Sequence, residues 1–249
     1  MSSSRPLNMA RELGTFRLHG GEMADNPDGW GMAWLHGGGF HLSKEPVPAH
    51  RSKLFARLCD NTNSSLMIAH VRKASFPPVI DMSNTHPFRR TCCGREWVFA
   101  HNGMVPDIVA IESSASNPVC CPTGRTDSEY AFCHLLGRIA KQFHGLSFAE
   151  PANWIDNLAE VSGLVASLGK FNFLMSEGEH LIAYGHDRLH HLERHDPERR
   201  VAQVLVATEP LDGHEWSTFE PGELRVYRAG RMVGHAMANT ATPPRSNQN

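Results

Sequence analysis

Four residues at or near the ends of apolar segments have the chemistry of a binding and reaction site. Arg72 closes SLMIAHVR, Asn102 and Gly103 close EWVFAHNG, and Asp127 lies in GRTDSEYAF. A guanidinium at a strand end can hold a carboxylate through two parallel hydrogen bonds. Its ordinary alternative is a surface salt bridge. An Asn amide beside a glycine N–H offers two donors to a developing oxyanion, and glycine lets a substrate approach the backbone closely. Yet Asn-Gly is also the commonest tight-turn dipeptide. Asp127 can accept from an ammonium group, and it equally suits the first turn of a helix, where an acid complements the macrodipole. The polar turn Asn84-Thr85-His86-Pro87-Phe88 either lines the same pocket or only shapes its loop.

The elements that must position these residues read mostly as strands. GWGMAWL (29–35) and GFHLS (39–43) flank Gly37-Gly38, a hairpin signal. SLMIAHVR (65–72) and EWVFAHNG (96–103) are apolar runs with polar ends, and alternation puts Leu66, Ile68, His70 and Arg72 on one face. FNFLMSEG (171–178), HLIAYG (180–185), QVLVATEP (203–210) and ELRVYRAG (223–230) follow, with Glu177-Gly178 as a tight turn. Helices are expected over 49–60, over 126–143, where Thr126 to Glu129 form a capping-box pattern, and over 150–169. Strands in hairpin-like pairs with helices grouped between them predict an α+β fold with antiparallel sheets. No G-x-G-x-x-G or P-loop is present, and Gly37-Gly38-Gly39 precedes a strand, not a helix.

The 249 residues are 41% hydrophobic with a formal charge of -2, enough for a sizeable core. No block of like charge suggests nucleic acid or an anionic membrane surface. Apolar runs are strand-length, and MSSSRPLNMARELG lacks the apolar core of a signal peptide, so a cytoplasmic protein is the default. The six cysteines (Cys59, Cys92, Cys93, Cys120, Cys121, Cys133) are too few for a disulfide scaffold in a chain this long and are expected to be reduced thiols. Adjacent cysteines lack the turn of a C-x-x-C zinc pair. The run HDRLHHLERH holds His186, His190, His191 and His195 without a zinc signature, so no metal site is expected. The segment NTATPPRSNQN (239–249) reads as a disordered tail.

Taken together, NPDGWGMAW, IAHVRKAS, NTHPF, FAHNG and GRTDSE, between Asp28 and Glu129, resemble the glutaminase domain of class II glutamine amidotransferases. DGWG, NTHPF and HNG are similar to its small stand-alone branch, which includes γ-glutamyl amidohydrolases of glutathione degradation and ergothioneine synthesis. FNFLMSEGEHLIAYG, VLVATEPL and EWSTFEPGEL resemble that branch too, so the likeness covers nearly the whole chain. It implies one domain over 1–238 and a four-layer αββα N-terminal-nucleophile fold. It implies that Arg72 binds the glutamine α-carboxylate, Asp127 its α-ammonium, and Asn102 with the Gly103 N–H the oxyanion. Ser75 matches a position that often carries a hydroxyl near the ligand, and His86 lies in the matching loop. The implied reaction needs no cofactor. The implied ligand is a small molecule, glutamine or a γ-glutamyl compound. With no separate acceptor domain, a hydrolase is expected, and an acceptor protein or a homo-oligomer stays open.

The same resemblance expects Met-Cys and a short apolar strand ahead of a polar stretch like MSSSRPLNM. This chain begins Met1-Ser2-Ser3-Ser4, and its first cysteine is Cys59. The nucleophile, and the strand that carries it, are thus missing by comparison. Three explanations compete: a start placed too late or a shortened chain, an inactive protein that binds a glutamyl group or a partner, or Ser2 acting as nucleophile through its free amino group. The third conflicts with geometry, because Ser2 aligns after the missing strand and away from Asn102.

Overall fold

The computed structural model describes residues 1–75, 78–116, 118–142 and 151–238. The tail expected over 239–249, residue 143 of the second expected helix and residue 150 of the third lie outside the described residues. Two antiparallel sheets are stacked, each with helices on its outer face. The seven-stranded sheet comprises β1 (Ser2–Asn8), β2 (Trp30–His36), β3 (Gly39–Glu45), β4 (Asn63–Val71), β9 (His190–Asp196), β10 (Val201–Ala207) and β11 (Ser217–Thr218), in the order β11-β9-β10-β1-β4-β2-β3. The six-stranded sheet comprises β5 (Phe88–Cys92), β6 (Arg95–Met104), β7 (Lys170–Ser176), β8 (His180–Gly185), β12 (Glu223–Arg228) and β13 (Arg231–Met237), in the order β13-β12-β8-β7-β6-β5.

The hydrophobic clusters give the layering. Leu66, Ile68, Val98, Ala100, Leu181, Ala183, Val204 and Val206 fill the space between the sheets. Met32, Met67 and Leu205 point the other way, toward α1 (Ala10–Leu18) and α2 (Lys53–Asn61), where Trp30 stacks on Phe55. Phe99, Phe171, Phe173 and Tyr184 pack against α4 (Asp127–Gln142) and α5 (Ile155–Ala166), with α3 (Ile108–Ser113) alongside. The result is a four-layer αββα sandwich, as the family resemblance implies. Strand alternation produces it: Leu66, Ile68 and His70 face one way along β4, and Met67, Ala69 and Val71 the other.

Two differences from the sequence reading concern the N-terminus and the cysteines. Ser2–Asn8, a polar stretch, is itself a strand at the sheet centre, because the edges of β4 and β10 supply backbone partners on both sides: Ser2 pairs with Leu66 and with Val204, and Ser3 with Gln203. The expectation of reduced thiols fails for Cys120 and Cys133, which are joined in a disulfide across Cα atoms 5.5 Å apart. The segment carrying Cys120 folds back over α4, a contact that spacing alone does not reveal. Cys59, Cys92, Cys93 and Cys121 are free. The glycine hairpin stands: Gly37 and Gly38 adopt φ of 61° and 85° in the turn between β2 and β3.

Phe99 links β6, near the end that carries Asn102 and Gly103, to α4. Its ring stacks on Phe132 at 4.9 Å and tilts against Phe173 at 5.4 Å, with no exposed surface. Phe99→Ala is expected to cost about 3–5 kcal/mol, read from urea unfolding midpoints.

Candidate functional site

Each sequence motif is pinned by backbone contacts to another motif. The Arg72 N–H donates to the Gly29 carbonyl at 2.8 Å, and the Arg72 carbonyl accepts from the Asp28 N–H at 2.9 Å. Asp28 also accepts from the Ala74 N–H. Gly31 has to be a glycine, because a Cβ there would lie 2.1 Å from the His86 carbonyl. The DGWG segment therefore clamps Arg72 on one side and the NTHPF loop on the other. Asn84 in that loop is buried, and its Oδ1 accepts from the Arg125 N–H at 2.8 Å. Glu129 is buried beneath GRTDSE, accepting from the Thr123 and Gly124 N–H groups and pairing with Arg90. The Thr126 hydroxyl caps the helix by accepting from the Glu129 N–H at 3.3 Å, but the Glu129 carboxylate turns to the preceding loop instead of closing the capping box.

Arg72 is buried at 6% exposure, and its Nη1 has no partner. Burial lowers its pKa, opposed by the charges of Asp28 and Asp81. A desolvated guanidinium with an idle donor suits a carboxylate. Asn102 and Gly103 are exposed at the end of β6. Gly103 has φ of 148°, and a Cβ on it would lie 1.9 Å from the Lys170 carbonyl, so no side chain fits. Asp127 accepts from the Val105 N–H at 2.6 Å and from the Ser128 N–H at 2.8 Å, tying the chain after Gly103 to the start of α4. Ser75 is exposed, three residues past Arg72.

A cavity of about 180 Å³ lies in the seven-stranded sheet beyond the start of β1. On one side are Met67, Ala69 and Val71 of β4, and on the other Leu205, Val206 and Ala207 of β10. Met1 forms its floor: its amino group donates to the Met67 carbonyl at 2.9 Å, and burial lowers its pKa to about 5. Asn102, His70 and His101 also line it. Arg72, Gly103, Asp127, Ser75 and His86 do not; they sit on the segments flanking it. Ser2 is turned away, its hydroxyl accepting from the Gly230 N–H of the opposite sheet.

Three histidines that sequence reading gave no role, or only a loop position, join these parts. His70 Nε2 lies 3.1 Å from the His101 carbonyl and 3.1 Å from His86 Nδ1. The carbonyl only accepts, so Nε2 carries the proton and the His70 Nδ1 lone pair has no partner. The His101 ring lies between the Ser128 hydroxyl at 2.9 Å and the Lys170 carbonyl at 3.1 Å. His86 packs edge-on against His70, with ring centroids 4.2 Å apart. The period-two alternation that placed His70 beside Arg72 was the available signal for it.

Glu177, Glu179 and His180 come within reach of a single ion among the described residues. Arg95 already lies 3.6 Å from each carboxylate, and His180 bonds to Glu177. Of the histidine run, His190, His191 and His195 lie along β9.

Burial depresses the pKa of all three site histidines, His70 to about 3 from 6.5; at His101 the neighbouring Asp127 opposes the shift. They are neutral in the fold and protonate in the unfolded chain below 6.5. Unfolding therefore takes up protons, and stability falls as pH drops from 6.5 toward 3. Each such proton contributes a slope of roughly 1.4 kcal/mol per pH unit. His70→Gln is expected to flatten the slope by about one proton, measured as urea midpoints between about pH 7.5 and about pH 5.

The family model for class II glutamine amidotransferases matches residues 1–204. A putative glutamine amidotransferase of Escherichia coli, YafJ, is 31% identical over 262 residues, covering 94% of this chain and 97% of that protein. The gamma-glutamyl-hercynylcysteine sulfoxide hydrolase of Mycobacterium tuberculosis is 29% identical over 189 residues, 75% of this chain and 69% of that one. The crystal structure of a predicted glutamine amidotransferase from Pseudomonas aeruginosa superposes with a TM-score of 0.68 at 28% identity, covering 87% of this chain and 91% of that one.

Proposed function

This chain belongs to the class II glutamine amidotransferases, and from that premise we propose that it takes the γ-glutamyl head of glutamine or a related amide and serves its hydrolysis through a thioester. The observation that carries this reading is the buried, unpartnered Arg72 donor on the segment leaving β4, with Asn102 and Gly103 ending the facing strand β6. In this reading Arg72 holds the α-carboxylate and Asp127 the α-ammonium. Asn102 and the Gly103 N–H stabilise the oxyanion, Ser75 sits beside the ligand, and His86 supports the pocket through His70.

The reaction needs a thiol. Its sulfur adds to the amide carbonyl, the C–N bond breaks, the amine leaves with a proton, and water then cleaves the thioester to restore the thiol. None of the free cysteines lines the cavity, and burial raises the Cys59 thiol to about 11. Strand register supports one position for that thiol. Met1 lies opposite Met67, and Arg72 is five residues further along that strand line. At about 3.4 Å per residue the gap is roughly 17 Å. A thiol reaching Asn102 and Arg72 must therefore be carried about five residues ahead of Met1, between β4 and β10. In this reading Arg72 and Asp127 serve binding, and turnover requires that thiol. The second reading is a ligand-binding protein without turnover, supported by the position of the free cysteines Cys59, Cys92, Cys93 and Cys121 away from the cavity.

Two experiments separate these readings. Calorimetric titration of the chain with glutamine should show binding that Arg72→Ala weakens about ten- to a hundredfold; unchanged affinity removes Arg72 from the site. Variants extended by apolar residues, with a cysteine four, five or six places ahead of Met1, should release ammonia from glutamine only in the five-place form. A one-residue slip turns the side chain to the wrong face of the sheet. Ammonia release independent of cysteine position, or absent from all three, sinks the thioester reading and leaves the binding one.

A further inference from the structure

Two acids line the cavity, each beside a basic or titratable side chain. Glu12 bonds to Arg194 at 2.6 Å, and Glu209 lies 3.4 Å from His19. Arg188 also lines the cavity, is exposed, and makes no hydrogen bond or ion pair with a described residue. Its neighbour Asp187 does not neutralise it, because that carboxylate is held by Lys170 at 3.0 Å and by the Asn172 amide at 2.7 Å.

The turn carrying Arg188 is fixed relative to Asn102. Asn172 sits opposite Asn102 in the β6–β7 ladder. Its Nδ2 donates to the Asn102 carbonyl at 3.2 Å, and its Oδ1 accepts from the His186 and Asp187 N–H groups at 2.8 and 3.1 Å. One buried amide thus holds both the residue assigned to the oxyanion and the turn between β8 and β9. This fixes the backbone from which Arg188 projects, while its exposed guanidinium stays available to a ligand. Arg188 lies in the turn between β8 and β9, whereas Arg72, which serves the glutamyl end, follows β4.

We propose that Arg188 is a specificity-determining residue that binds a carboxylate on the amine side of the scissile amide, so that the site prefers γ-glutamyl amino acids and peptides to glutamine. This rests on the γ-glutamyl reading above. The glutamyl carboxylate goes to Arg72, and the carboxylate of the leaving amino acid goes to Arg188. Glutamine, whose leaving group is ammonia, has nothing to offer Arg188. The adjacent acid Asp187 does not cancel this preference, because it is committed to Lys170 and Asn172.

The test compares γ-glutamylglycine with γ-glutamylglycinamide, which differ only in the terminal carboxylate. Titrated into the chain starting at Met1, the acid should bind about tenfold more tightly than the amide, and the preference should shrink as salt is raised. Arg188→Gln should bring the two affinities together by weakening the acid, and Arg188→Lys should restore part of the difference. Because the side chain is exposed, both variants should keep the parent circular dichroism spectrum. Equal affinities in the parent chain, or a preference that survives Arg188→Gln, overturn the role of Arg188 while leaving the γ-glutamyl reading standing. If neither compound nor glutamine binds, the γ-glutamyl reading itself fails, and this one with it.

Discussion

The hydrogen bond from His70 Nε2 to the His101 carbonyl joins two sheets that otherwise meet largely through apolar side chains. The candidate site is divided between those sheets: Arg72 leaves β4 in one, and Asn102 ends β6 in the other. Hydrophobic contact alone is non-directional and fixes a separation better than a register. A buried imidazole aimed at one carbonyl fixes register. His86 behind His70, and His101 between Ser128 and Lys170, extend the constraint to the NTHPF loop and to α4. Each of these rings is neutral because water is excluded, so the arrangement depends on the layers staying closed.

Much of this was legible in the sequence, and the reason differs by element. The strands β4, β6, β7 and β8 carry long apolar runs because both faces are buried, one against the other sheet and one against helices. The motif glycines were visible as glycines, but their reasons were not. Gly31 is needed for the His86 carbonyl and Gly103 for the Lys170 carbonyl, contacts made across 55 and 67 residues of chain. The helix α1 was missed because ARELGTFRL buries only Leu13, leaving no clear stripe. The strands β5 and β13 were missed because they are sheet edges, where polar residues are tolerated and alternation is weak.

The polar network was the least legible part. Glu129 reads as a capping residue, yet its carboxylate serves the Thr123–Gly124 backbone and Arg90. Asn172 reads as an ordinary polar position in a strand, yet it satisfies four groups across two segments. Local propensity carries no information about such bonds, because the partners are brought together only by tertiary packing. Arg72 and Asp127 were singled out through motif context; taken one at a time, their dull alternatives were the better readings.

The way β1 joins its sheet has a mechanical consequence. Its pairing with β10 rests on Ser2 and Ser3, and its pairing with β4 is broken by an irregularity between Ser2 and Leu7. The seven-stranded sheet is therefore two blocks, β11-β9-β10 and β4-β2-β3, riveted by one short polar strand. Cooperative units of a protein divide where cross-links are sparsest. The seam along β1 is such a line: between Ser3 and Leu7, where neither neighbouring strand is in register with it, the two blocks are least stitched together.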